Sequence, residues 1–132
     1  VYAEIDLANA RDDALAPMTV RVMVDSGELH LCIPEAVRLQ LGLARLDQRS
    51  VTVADGRQQL VDYVGPLRVR FGNRQCLTGA IVLGDQPLLG AIPMEDMDVL
   101  IDPARQALVP NPRSPNIPAS LAMGLRASLP SE

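Results

Sequence analysis

Short segments of alternating apolar and polar residues, separated about every ten residues by turn-forming residues, run through most of this sequence. Residues 1–7 place Val, Ala, Ile and Leu on one face and Tyr, Glu and Asp on the other, and residues 18–24 alternate in the same way. A period of two is typical of a β-strand with one buried face, and the interruptions indicate tight turns. The sequence therefore predicts a mainly β fold of roughly eight short strands, a barrel or a sandwich.

Two short segments have the signals of helices instead. Pro34–Leu41 begins with a proline, which suits the first helical position, and is followed by Gly42, which suits a helix end. A second helix is predicted at about Ile92–Met97. Between these elements we expect a polar connector at Arg45–Ser50 and a break at Gly65-Pro66. The strands are thus accompanied by one or two short helices.

Length and composition bound the size of the fold and the content of its core. A chain of 132 residues fits one domain. Apolar residues make up 48% of the chain but aromatic residues only 2%, so the core must consist of aliphatic side chains. Residues 110–132 hold five of the eleven prolines, and only 119–128 could form a helical turn or two there. We therefore predict a folded domain at residues 1–110 and a proline-rich tail at residues 111–132.

Charge and composition also exclude classes of function. The net charge is −4 and no basic stripe is present, so a nucleic-acid partner is not expected. One histidine, His30, and two cysteines cannot supply the usual ligands of a zinc site, so no metal is expected. No apolar run approaches the length of about 18 residues that crosses a membrane, and a cytoplasmic location is expected. Cys32 and Cys76 lie in apolar segments and are predicted to be buried thiols.

An acidic cluster surrounds the second predicted helix. A hard cation prefers such oxygen ligands, but the residues lack the spacing of a calcium-binding loop, so a solvated helix end is the favoured interpretation. The cluster consists of Glu95, Asp96, Asp98 and Asp102.

The tripeptide Asp25-Ser26-Gly27 directly follows the alternating segment 18–24. By itself it is a weak signal, because a chain of this length contains such a tripeptide by chance on the order of one time in twenty. A simple turn at the end of a strand also explains it. The context adds weight, since Leu88-Leu89-Gly90 lies about sixty residues later and opens the second predicted helix.

Together these segments resemble the retropepsin-like aspartic proteases, in particular their small bacterial single-domain members. The resemblance covers about residues 1–110 and is carried by Val22–Gly27, Ile33-Pro34, Ala54-Asp55-Gly56, Leu88–Ala91 and Val99–Pro103. It implies a closed retropepsin-like β-barrel, a flap that covers the substrate, and a homodimer that hydrolyses peptide or protein substrates with one catalytic aspartate per subunit. No cofactor is implied.

The resemblance also implies roles for individual residues. Asp25 would activate water, Ser26 would hydrogen-bond across the pair of aspartates, and Gly27 would leave room for the substrate backbone. The flap would lie at about residues 51–61, with Ala54, Asp55 and Gly56 at its tip against the substrate. An ordinary exposed hairpin explains the same segment equally well.

One aspartate is not enough for this chemistry. Peptide hydrolysis of this kind needs one carboxylate to deprotonate water and one carboxylic acid to protonate the carbonyl oxygen. Two carboxylates about 3 Å apart repel by roughly 5 kcal/mol at an effective dielectric constant of 20, so such a pair shares one proton. The sequence offers one aspartate in the right setting, Asp25, so the second must come from another copy across a two-fold axis.

Glu28 departs from the family pattern, in which Ala or Ser usually follows the glycine. A carboxylate there would give a preference for basic substrate side chains, would cripple or regulate the site, or would simply face solvent. We expect Glu28 to contact substrate in an active enzyme. Two alternatives stay open: a non-catalytic dimeric module that binds extended peptides by strand addition, and a monomeric β domain with an accidental Asp-Ser-Gly.

Overall fold

Residues 1–121, the part of the chain that the computed structural model describes, form nine strands and two short helices. In chain order these are β1 (Tyr2–Asn9), β2 (Met18–Val24), β3 (Leu31–Ile33), α1 (Glu35–Gln40), β4 (Ala44–Thr52), β5 (Gln58–Phe71), β6 (Arg74–Val82), β7 (Leu88–Leu89), α2 (Ala91–Met97), β8 (Val99–Asp102) and β9 (Ala107–Pro110). The prediction of a mainly β fold with short helices is confirmed.

Seven of the strands form one sheet that returns on itself. Their order is β1-β2-β7-β3-β6-β5-β4, and β1 pairs a second time with β5. Six strands therefore make a closed ring of hydrogen bonds, and β4 extends beyond it as an edge strand. The two remaining strands, β8 and β9, pair with each other. The hairpin of β4 and the first half of β5 thus projects from the ring.

The interior of the ring is aliphatic, as the composition predicts. The most deeply buried apolar side chains include Ile5, Leu7, Val22, Leu31, Ile33, Leu41, Val64, Leu67, Val69 and Leu89. Cys32 and Cys76 are buried free thiols, which confirms that prediction, and burial is the main cause that raises each pKa to about 12. Neither helix within residues 1–121 has the length and apolar character to cross a membrane.

The predicted polar connector at Arg45–Ser50 is wrong. These residues belong to β4, which pairs with β5 in an antiparallel register from Ala44–Gly65 to Thr52–Gln58. Most β4 side chains are exposed, on both faces of the strand. Without a buried face the strand shows no apolar alternation, and the sequence therefore looks like a loop.

The predicted break at Gly65-Pro66 is wrong in a different way. The strand continues as β5, but its pairing changes there: Gly65 is the last residue opposite β4, and Leu67 is the first opposite β1. Pro66, which has no N–H to donate, lies between these two pairings, and its carbonyl accepts the Ala10 N–H at 3.0 Å. The interruption therefore affects the hydrogen-bond pairing of β5 and not the continuity of the strand.

Candidate active site

Asp25 follows the last residue of β2, where the chain leaves the sheet. Its backbone N–H donates to the Leu89 carbonyl at 3.0 Å, and the N–H of Val24 donates to the Val1 carbonyl at 2.8 Å. β2 runs parallel to β7 here, with Val24 opposite Leu89. The apolar strand end is buried, whereas Asp25, Ser26 and Gly27 are exposed. The fold thus presents one carboxylate at the end of a fixed strand.

The loop after β2 turns tightly around the Asp25 carboxylate. Oδ1 accepts the N–H of Gly27 at 2.9 Å, and the Asp25 carbonyl accepts the N–H of Glu28 at 3.1 Å. These bonds close a turn of the kind that aspartate side chains favour. A Cβ at position 27 would lie 3.2 Å from Oδ1, so glycine leaves space beside the carboxylate.

Gly90, between β7 and α2, lies in a second segment of the chain that packs across this loop. A Cβ at Gly90 would lie 2.4 Å from the His30 carbonyl oxygen and 2.6 Å from that of Glu28. Just beyond, Ala91 N–H donates to the Glu28 carbonyl at 2.7 Å, and Ile92 N–H donates to the Leu29 carbonyl at 2.9 Å. The two segments singled out in the sequence, Asp25-Ser26-Gly27 and Leu88-Leu89-Gly90, are therefore packed against each other.

Ser26 borders an open, mostly apolar cavity of about 280 Å³. The other walls come from α2 and β8, through Ala91, Met94, Glu95, Val99, Leu100 and Ile101. Leu100 and, on the loop side, Ile92 and Leu29 are exposed apolar side chains. Exposed apolar side chains thus lie beside the Asp25 loop.

The Glu28 side chain folds back onto its own loop. Oε2 accepts the N–H of Leu29 at 3.1 Å and that of His30 at 3.4 Å, and the residue is half-buried. Its charge is close enough to add to the effect of burial in raising the pKa of the Cys32 thiol. The side chain is therefore neither free in solvent nor extended from the loop, and its contact with a substrate stays a prediction.

The predicted flap tip is the turn of the β4–β5 hairpin. Ala54, Asp55 and Gly56 are exposed, and Gly56 has a φ of 86°, which favours glycine. Asp55 holds the turn, because its carboxylate accepts the Arg57 N–H at 3.0 Å and pairs with the Arg57 guanidinium at 2.6 Å. None of the hydrogen bonds within residues 1–121 joins this tip to the Asp25 loop, so the tip's substrate-binding role stays a prediction.

The chain is similar to a viral protease of known structure. The solved structure is titled "Solution structure of Simian Foamy Virus (mac) protease"; it is 17% identical, with a TM-score of 0.45, and the match covers 70% of this chain and 91% of that one. No family model and no curated protein matches the chain. Within residues 1–121, no three His, Cys, Asp or Glu side chains are grouped so that they could hold a metal ion. The functional assignment therefore rests on the Asp25 loop itself.

Replacing Glu28 tests whether its carboxylate supports the loop. Glu28→Gln keeps an oxygen acceptor for the N–H groups of Leu29 and His30, so its free energy of unfolding should equal that of wild type. Glu28→Ala removes the acceptor and should lower the free energy of unfolding by about 1 kcal/mol. Urea denaturation of both variants and of wild type measures the difference; a Glu28→Ala variant as stable as wild type would show that these hydrogen bonds contribute nothing.

Tyr63 is a residue at this site that the sequence reasoning missed. Its ring lies over Gly79, where a Cβ would approach the ring to 2.2 Å, and the Arg49 guanidinium stacks 4.2 Å from the ring centroid. The His30 ring meets it edge-on at 6.1 Å. Tyr63 thus connects the base of the β4–β5 hairpin to the loop that follows Asp25. The available signal was its rarity, since the chain has two tyrosines.

Proposed function

We propose that the protein is an aspartic endopeptidase that works as a homodimer, with Asp25 of each copy at the two-fold axis. The observation that carries this proposal is the exposed Asp25 carboxylate, held through Oδ1 by the Gly27 N–H on a loop against which Gly90 packs. A carboxylate that acts on water must be accessible and fixed in direction. The exposed apolar surface beside Ser26 suits contact with a second copy.

In the proposed reaction, the two Asp25 carboxyl groups share one proton. The ionised carboxylate takes a proton from a water molecule, whose oxygen attacks the peptide carbonyl carbon. The protonated carboxyl group gives its proton to the carbonyl oxygen, and collapse of the tetrahedral intermediate breaks the C–N bond, with a proton passing to the amine. Water is the only co-reactant, so no cofactor is needed.

The other site residues have positioning roles in this proposal. Ser26 links the two loops across the pair, and Gly27 leaves room for the substrate backbone beside Oδ1. The Ala54-Asp55-Gly56 tip closes over the bound peptide and separates the reacting groups, with their one attacking water molecule, from bulk water.

A peptide library tests the proposed activity. Wild type and Asp25→Asn are incubated with the library between about pH 4 and pH 7, the range in which a carboxyl pair that shares one proton is expected to act. We expect peptides that wild type cleaves and the variant leaves intact. If every cleaved bond is cleaved equally by both proteins, the protease proposal is wrong.

A second candidate is a non-catalytic dimer that binds extended peptides. The observation in its favour is β4, an exposed edge strand whose outer backbone groups can pair with an added strand. The two candidates separate in the same experiment, since the binding module retains peptide binding but cleaves nothing. A single sizing measurement addresses the third possibility, an accidental Asp-Ser-Gly, which predicts a monomer.

A further inference from the structure

Asp98 binds the chain segment that follows β9. We name residues 111–121 the strap; they contain no helix or strand. The Asp98 carboxylate accepts hydrogen bonds from the Asn111 amide at 3.0 Å, from the Ala119 N–H at 2.8 Å, and from the Ser114 hydroxyl. The Asp98 carbonyl also accepts the Asn111 N–H at 3.0 Å. One carboxylate therefore binds three separate residues of the strap.

The strap also covers Arg74, the one buried charged side chain among the described residues, which is 1% exposed. Its Nη2 donates to the Ser114 carbonyl, while Nε and Nη1 have no partner within the described part of the chain. Next to it, the Asn73 amide donates to the Pro115 carbonyl at 3.0 Å. A buried guanidinium with one carbonyl partner is expensive to desolvate. Because two of its three nitrogens find no partner among the described residues, burial of Arg74 under the strap carries a desolvation cost that opposes the attachment of the strap.

Asp98, to which the strap is attached, lies at the joint between α2 and β8, the two elements that form one wall of the cavity beside Ser26. Asp98 ends α2 in a left-handed conformation, with φ of 56°, and β8 begins at the next residue. These two elements supply Met94, Glu95 and Val99–Ile101 to the cavity beside Ser26. A bond network at this joint fixes the direction in which β8 leaves α2.

We propose that the strap is a releasable latch that holds the α2–β8 wall in place next to the Asp25 loop. While the Asp98 carboxylate is hydrogen-bonded to the strap, the joint between α2 and β8 is fixed and the cavity beside Ser26 keeps its shape. When the strap detaches, the joint loosens and the loop loses one of its supports. The consequence for peptide cleavage rests on the proposed function, whereas the coupling between strap and wall does not.

The Asp98 carboxylate, which holds the latch, stays ionised in the pH range of the peptide assay. The Ser114 hydroxyl, the Ala119 N–H and the Asn111 amide, with a smaller effect of the Arg74 charge, lower the pKa of Asp98 to about 2. A lowered pKa means that the ionised form favours the attached state, that this contribution is complete above about pH 4, and that it is lost as the pH falls towards 2. The contribution of Asp98 to attachment is thus constant between pH 4 and pH 7.

Asp98→Asn is the variant that tests the latch. Asparagine tolerates the left-handed conformation of position 98, but it has one oxygen acceptor in place of two and no charge. Whichever way its amide is turned, it loses at least one of the contacts that the two carboxylate oxygens make with the strap. Asp96→Asn, an exposed position on α2, removes the same charge without touching the strap and is the matched control. Ser114→Ala, which removes one donor and keeps the carbonyl for Arg74, serves if Asp98→Asn does not fold.

Hydrogen exchange and cleavage rates are measured on the whole chain. We expect amides of the strap to exchange roughly tenfold or more faster in Asp98→Asn, as loss of hydrogen bonds to a charged acceptor predicts, and amides of α2 and β8 to follow, while Asp96→Asn matches wild type. Faster exchange confined to the strap would overturn the coupling. If wild type cleaves peptides, Asp98→Asn should cleave them more slowly, and equal rates overturn the latch's effect on the site. Absence of cleavage in wild type rejects the proposed function, and the exchange data then decide the coupling alone.

Discussion

Asp25→Asn is expected to lower peptide hydrolysis at least about a thousandfold while the fold and the pairing of copies are retained. The amide oxygen of asparagine can still accept the Gly27 N–H that Oδ1 now accepts at 2.9 Å, so the loop keeps its turn. The amide cannot take a proton from water, however, and the pair loses the group that activates the nucleophile. Cleavage of a fluorogenic peptide, with circular dichroism and sizing on the same samples, measures both parts of the prediction.

Asp13→Asn is the control for that experiment. Asp13 is an exposed aspartate in the turn between β1 and β2, and the substitution makes the same change of charge away from the Asp25 loop. It should cleave at the wild-type rate. Comparable loss of activity in both variants would assign the effect to net charge or folding and would remove Asp25 from the reaction.

Gly90→Ala is expected to have the second largest effect. The backbone at Gly90, with φ of −95° and ψ of −174°, suits any residue, so the added methyl group acts through contact alone. It would stand 2.4–2.8 Å from backbone atoms of Glu28 and His30, and such atoms cannot move aside as a flexible side chain does. We expect the free energy of unfolding to fall by about 3 kcal/mol, the upper part of the range for overpacking, and cleavage to be lost because the Asp25 loop is displaced.

Gly72→Ala separates this contact from the general cost of replacing a glycine. Gly72 has a φ of 57°, and a Cβ there meets nothing within 4 Å. The substitution should cost about 1 kcal/mol through its left-handed backbone and leave cleavage unchanged. Urea denaturation and peptide cleavage of both variants provide the comparison. If Gly90→Ala is no more destabilising than Gly72→Ala, the close crossing of the loop by β7 and α2 is contradicted.

The parts of the fold that were predictable are those in which one face of an element is buried. β1, β2 and the helix after Pro34 could be read from the sequence because their apolar residues repeat with the period of the element. β3, three fully buried residues, and β4, a mostly exposed edge, have no alternation to detect. A local pattern cannot reveal a strand whose two faces have the same environment.

The candidate site was also only partly predictable, because local sequence patterns do not show contacts between distant segments. Asp25 and Gly90 were singled out because each stands in a short recognisable motif, Asp25-Ser26-Gly27 and Leu88-Leu89-Gly90. Asp98 was noted only as a member of the acidic cluster, and the interpretation of a solvated helix end is wrong for it, since its carboxylate binds the strap. Arg74 was not noted at all, because an arginine after a turn looks like a solvated residue in the sequence. Their partner, Ser114, is 40 residues from Arg74 and 16 from Asp98 along the chain. Contacts of that separation are decided by packing and leave no local signal.

Mixing wild-type and Asp25→Asn chains tests the central claim, that two copies build one site, most directly. At a fixed concentration of wild type that is high enough for nearly all chains to be paired, a ninefold excess of the variant should reduce cleavage per wild-type chain to roughly a tenth, because random pairing puts most wild-type chains into mixed dimers. Activity of wild type alone should also rise faster than linearly with concentration while dimers form. Cleavage that is unchanged by the variant and strictly proportional to wild-type concentration would show that each chain acts alone, which contradicts the shared pair of Asp25 carboxylates.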